Sequence, residues 1–179
     1  MTSTAEAHHI GTGRPTTDLP LLLADLHLAL LPGDEVRIRL DPVPDAGWTL
    51  QRADDLLVGA GFVPDTISWC DTGRVEVAAT RIRSLPDTVA PDLRLLVVGL
   101  NPSPSSADTA VGYHRGGNRF WPAVLEAGLA SVDREPRRAL RDHKLGMTDL
   151  VRRTTSRADE VAPAEYRRGA ERVERLVAW

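Results

Sequence analysis

The run Leu95-Leu96-Val97-Val98, followed at once by Gly99-Leu100-Asn101-Pro102, constrains the fold more than any other part of this chain. An apolar run so short cannot form an amphipathic helix, and its Leu and Val content suits a strand buried on both faces, as in parallel sheets. Gly99 to Pro102 stops the strand, and Pro102 holds Asn101 in extended backbone geometry. A polar loop of Ser, Gly and Asp follows, then Tyr113, then a helix predicted to start at Asn118 with Phe120 and Trp121 in its first turn. Strand, loop and helix in this order predict an α/β protein. In open α/β sheets, ligands bind in the crevice beyond the carboxyl end of such a strand, so the chemistry is expected there.

A chain of 179 residues with 42% hydrophobic composition fits one domain, or one domain and part of another. No apolar run approaches the roughly 20 residues of a membrane span, and the first residues are polar, without the apolar core of a secretory signal. A cytoplasmic protein with no membrane partner is therefore expected, and a monomer. The single cysteine, Cys70, cannot form an internal disulfide or build a metal site unaided, and its strand-like surroundings predict a small buried side chain. His8-His9 is read as tail composition, and no metal is expected.

The net charge of −3 argues at first against a nucleic-acid partner, but the charges are unevenly spread. Residues 1–118 hold 9 basic and 15 acidic side chains, whereas 119–179 hold 13 and 10. The basic excess begins at the Asn118 helix and is nearly all arginine, which suits bidentate phosphate contacts, although a solvated helical face explains it equally well.

Taken in order, residues 1–17 read as a disordered tail. Gly11-Thr12-Gly13 is expected to follow no strand and open no helix, so it is not a dinucleotide fingerprint. A buried helix is predicted over Asp18–Leu31, ended by Pro32-Gly33, with His27 as a core side chain. Glu35–Leu40 alternates as a strand with Val36, Ile38 and Leu40 inward. Thr49 caps a helix through Leu57, closed by Gly59 and Gly61. Thr66–Cys70 and Arg74–Thr80 form a hairpin around Asp71-Thr72-Gly73. Helix, strand, helix and hairpin resemble the closing segment of class I methyltransferase-like folds; their glycine-rich cofactor loop is absent, and no cofactor is inferred. Residues 18–82 thus form a small α/β appendage, structural or protein-binding, and 83–91, with its two prolines, a linker. Further on, helices are predicted at Pro122–Ala127 and Pro136–His143, a short strand at Gly146–Leu150, and an arginine-bearing loop after it. Pro163–Trp179 forms a helix with Tyr166, Ala170, Val173 and Val177 on its inward stripe.

Gly99-Leu100-Asn101-Pro102, Ser105-Ser106-Ala107, Tyr113 and Asn118-Arg119-Phe120-Trp121, in this order and spacing, resemble the mismatch-specific uracil/thymine-DNA glycosylase family. Gly146-Met147-Thr148-Asp149-Leu150 and the arginine-rich loop resemble the family's next segment. The resemblance covers residues 92–179. It implies the N-terminal part of a three-layer α/β/α domain with a parallel sheet. It also implies base-excision repair of mispaired uracil or thymine in double-stranded DNA carrying G·U or G·T, without metal or cofactor.

The residue types suit that chemistry. A mispaired base costs less to rotate out of the duplex, and it departs as an anion from an oxocarbenium-like sugar, which calls for a held water and donors to the base. Asn101 can hold the water, because its side-chain carbonyl accepts while its amide donates. The resemblance gives Tyr113 the role of stacking on the flipped base. Asn118 caps the helix carrying Phe120 and Trp121, both read as structural, and joins Ser103 and Ser105 as a candidate base-binding residue. Arg119, Arg152 and Arg153 are the candidates for DNA phosphates. Two departures stand out. Ser103 replaces the glycine that commonly follows Asn-Pro, and family members continue further, with another strand, a helix and a second Asn-Pro-Ser-type motif that wedges into the DNA stack. The chain is thus expected to be C-terminally truncated relative to the family. The alternatives are a non-catalytic remnant that binds DNA or a protein, and the same fold acting on another base such as hypoxanthine or xanthine.

Overall fold

The computed structural model describes residues 7–71 and 73–179; residues 1–6 of the expected tail and Thr72 of the expected hairpin turn lie outside them. The chain is α/β and divides into two compact units, up to Ile82 and from Arg83 onward.

The first unit contains strand β1 (His8–Ile10), helix α1 (Leu19–Ala29), strand β2 (Glu35–Leu40), helix α2 (Leu50–Gly59) and strands β3 (Phe62–Asp71) and β4 (Arg74–Arg81). They form a four-stranded sheet in the order β1-β2-β4-β3, with β1 parallel to β2 and the remaining pairs antiparallel. The alternation of β2 does what its period predicts, burying Val36, Ile38 and Leu40. Thr49 caps α2 by accepting a hydrogen bond from the Arg52 amide. His27 lies in the core, edge-on to Phe62.

Three expectations for this unit are corrected. Residues 7–17 are not a tail: His8–Ile10 pair with Ile38–Leu40, so Gly11-Thr12-Gly13 does follow a strand. The turn is nevertheless no dinucleotide fingerprint, since buried Thr16 stands where a third glycine would be, its hydroxyl bonded to the Asp45 carboxylate. Cys70 is exposed rather than buried, because the outer end of the long β3 strand carries it and Trp69 into solvent.

The second unit contains strand β5 (Leu95–Gly99), helices α3 (Pro104–Thr109), α4 (Phe120–Glu126) and α5 (Pro136–His143), strand β6 (Leu145–Asp149) and helix α6 (Pro163–Val177). Strands β5 and β6 are parallel, Leu95 opposite Leu145 and Gly99 opposite Asp149. The segment 83–91 is no linker. Thr88 exchanges two backbone hydrogen bonds of 2.9 Å with Met147, and Ser84, Asp87 and Val89 are buried. Strand β6 is therefore flanked on both sides and buried along its whole length. Strand β5, expected to be the buried one, leaves Leu95 and Val98 each 41% exposed, because only one of its edges is paired among the described residues. The core beside the sheet is Trp121, Val124, Ala130, Ala139, Leu145 and Met147.

Helix α6 is rotated relative to its expected stripe. Gly169, Arg172 and Leu176 face inward, while Val177 is exposed. A count of apolar residues alone misses this, because the deepest side chain is a charged one and Gly169 must pass hard against the Leu150 main chain. Among the described residues, no helix is long and apolar enough to cross a membrane.

Candidate functional site

A cavity of about 230 Å³ opens at the carboxyl ends of β5 and β6, where the parallel arrangement predicts a binding crevice. It is smaller than the roughly 300–1,000 Å³ of pockets for drug-sized ligands, a size suited to a single small ring system. Its wall includes Asn101, Ser103, Ser106, Tyr113, Asn118 and Asp149. Four of the five residues expected at the catalytic and base-binding positions thus converge: Asn101, Ser103, Tyr113 and Asn118. The fifth, Ser105, does not line the cavity. Pro104 starts α3 there and turns Ser105 towards Arg115, whose Nε donates to it at 3.3 Å, so Ser106 faces the cavity instead.

Asn101 leaves the strand end in a defined orientation. Its Nδ2 donates to the Thr155 hydroxyl at 2.7 Å, and that hydroxyl donates onward to the Arg157 carbonyl at 2.7 Å. Anchoring the nitrogen of a planar amide also fixes the direction of its carbonyl oxygen, the atom that accepts. Thr155 is a site residue that the sequence reading missed, since it lies 54 positions along the chain.

Tyr113 adopts a left-handed backbone, φ +57°, which is uncommon for a bulky side chain and costs on the order of 1–3 kcal/mol. Phe120 stacks on its ring with centroids 4.3 Å apart, and Trp121, fully buried, donates from its indole nitrogen to the Gly112 carbonyl at 2.9 Å. Phe120 and Trp121 thus hold the strained tyrosine from behind, in keeping with their structural reading. Asn118 stands one residue before the N-cap of α4, which is Arg119, and its Oδ1 accepts from the Phe120 amide at 2.8 Å, so it supports the helix start from outside rather than capping it. The Ser103 hydroxyl caps α3 by accepting from the Ser106 amide at 3.2 Å.

Asp149 was legible in the sequence only as a strand end. Its place opposite Gly99 in the β5–β6 register brings its carboxyl to the cavity. Any Cβ on Gly99 would collide with Asp149 Oδ1 and stand 3.1 Å from the Tyr113 hydroxyl, so the glycine makes room for both groups. Burial pushes the Asp149 carboxyl up to about 6; Arg152 and Arg172 oppose the rise, and the Asp87 charge adds to it. Burial, and then the Asp149 charge, likewise raise the Tyr113 hydroxyl.

The arginine candidates separate. Arg119 is exposed next to Asn118. Arg152 is corrected: only 7% exposed, it is ion-paired to Asp87 at 2.8 Å and cannot reach a phosphate, because the chain after β6 folds back under the 83–91 segment. Arg153 is exposed but forms a two-pronged pair with Glu165, at 2.6 and 2.9 Å. Arg115, exposed on the cavity wall, is a basic residue the sequence reading did not select. Among the described residues, no cluster of His, Cys, Asp and Glu could hold a metal ion. A comparison of the chain with models of known protein families finds no match.

Proposed function

We propose that residues 83–179 carry a DNA N-glycosylase site that hydrolyses the bond between a mispaired uracil or thymine and its deoxyribose. The observation that supports it most is the joint placement of an oriented Asn101 amide, a strained Tyr113 ring and a buried Asp149 carboxyl around a cavity of about 230 Å³. In this reading the flipped base enters the cavity and stacks on Tyr113, a contact worth about 1–3 kcal/mol. The glycosidic C–N bond breaks, its electron pair leaving with the base. Water held by the Asn101 carbonyl adds to the anomeric carbon and gives its proton to Asp149. A carboxylate is a far better base than an amide, and one titrating near 6 is mostly ionised at neutral pH while still able to hold a proton. Ser106 and Asn118 supply polar groups towards the base edge, and Arg115 and Arg119 supply positive charge for flanking phosphates.

The test is base release from a G·U duplex, read as alkali-labile sites. Asn101→Ala should lower the rate by about a hundredfold or more while DNA binding persists. Equal cleavage by the variant and the parent would overturn the assignment. Duplexes carrying thymine, hypoxanthine or xanthine in the same assay decide which base the cavity takes.

A further inference from the structure

Two guanidinium groups and a carboxylate are buried together in the second unit. Arg152 Nη1 and the Thr148 hydroxyl donate to Asp87 Oδ1 at 2.8 and 2.7 Å, and Arg172 Nη1 donates to Asp87 Oδ2 at 2.8 Å. The second nitrogen of Arg172 donates to the Thr148 hydroxyl at 2.8 Å and to the Asp149 carbonyl at 3.1 Å, and that of Arg152 to the Leu85 carbonyl. Arg152 is 7% exposed, Arg172 4% and Asp87 6%.

Burying two cations against one anion leaves a positive charge unmatched, which a low-dielectric interior tolerates poorly. Asp149 stands beside the set, where the two arginines favour its charged form but burial outweighs them, and of the four side chains it alone lines the cavity. The cluster also ties together four separate parts of the chain: the segment before β5, the end of β6, the turn after it, and α6.

We propose that Asp87, Arg152 and Arg172 are positioning residues: a closed ion cluster that clamps the Thr148–Asp149 main chain and sets the charge on the carboxyl presented to the bound base. The proposal rests on the reading of the cavity as a base-binding site. The charges that act on Asp149 come from Asp87 in the segment before β5, Arg152 in the turn after β6 and Arg172 on α6, and Asp149 in turn acts on the Tyr113 hydroxyl, its neighbour across Gly99. Asp87 disfavours a second carboxylate beside it, while the two arginines favour one. Removing one partner or the other should therefore move Asp149 in opposite directions, which loss of packing would not do.

The test is a carbon-13 NMR titration of the aspartate carboxyls in the full chain, with the Asp149 signal assigned by its loss in Asp149→Asn. The parent should titrate near 6. Asp87→Asn should lower the midpoint and Arg172→Met raise it, each by about half a unit or more. The double variant, having lost one charge of each sign, should return towards the parent. Unmoved midpoints, or two shifts in the same direction, would overturn the proposal. Should Arg172→Met fail to fold, the nearly isosteric Asp87→Asn decides alone, and a midpoint not below the parent's overturns it. The titration is read without DNA. A chain that shows the opposed shifts but releases no base from any duplex would refute the glycosylase reading and leave the cluster standing.

Discussion

At the residue scale, the site depends on atoms that are absent as much as on those present. Gly99 lacks the Cβ that would strike Asp149 Oδ1, so Gly99→Ala should destabilise the protein by about 1–3 kcal/mol, measured by urea denaturation. It should also displace the carboxyl from the cavity. The Asn101–Thr155 bond of 2.7 Å makes a sharper distinction. Thr155→Val keeps the shape but removes the acceptor that orients the Asn101 amide, and should slow base release about tenfold or more, whereas Thr155→Ser should largely restore it. A difference between valine and serine in single-turnover rate, at equal stability, is the expected result. Asn101 itself was legible from its strand-end position and the restriction imposed by Pro102. Thr155 and Asp149 were not, because their roles come from partners far away in the chain.

At the element scale, short helices hold the cavity wall, and the residues at their starts line it. Pro104 at the first position of α3 and the Ser103 hydroxyl beneath it form a helix start inside what the sequence suggested was loop. Asn118 does two things, accepting from the first amide of α4 and facing the cavity. Asn118→Ala should cost about 0.5–1.5 kcal/mol in thermal unfolding through the lost hydrogen bond to the Phe120 amide. Asn118→Asp, which keeps an acceptor, should recover that stability while placing a charge on the cavity wall. The strands exchange their expected roles because burial depends on neighbours. β6, Gly-containing and only moderately apolar, is enclosed between β5 and Thr88, while the more apolar β5 has one paired edge among the described residues. Helix α6 follows the same logic, since burying Arg172 in an ion cluster turns the helix away from the face that Val173 and Val177 would choose.

At the scale of the whole molecule, buried charge links stability to pH. The Asp149 carboxyl is raised in the folded protein to about 6, from an ordinary value of 3.8, so folding favours its protonated form. Its contribution is fully present below the ordinary carboxylate range and is lost as pH rises through about 6, on the order of 1–3 kcal/mol. Asp149→Asn should remove that slope, so that between pH 4 and pH 7 the variant gains on the parent in denaturant titrations. Base release should run the opposite way, rising as Asp149 loses its proton near pH 6, an acid limb that Asp149→Asn should abolish. Breaking the cluster by Arg172→Ala should cost about 3–5 kcal/mol, because Asp87 would keep its burial but lose a partner.

The sequence by itself determined the α/β class, the alternation of β2, the cap at Thr49, and the strand-end position of Asn101. Each of these depends on backbone geometry and side-chain period over a few residues. Tertiary structure alone decided that 83–91 belongs to the second unit, that Arg152 faces inward rather than towards a phosphate, and that Asp149 joins the cavity. Those outcomes turn on whether a charge finds an opposite charge in the interior, and the partners here are separated by up to 85 positions in the chain. A buried ion pair leaves no periodicity to read, so an arginine bound for the core looks the same in sequence as one bound for solvent.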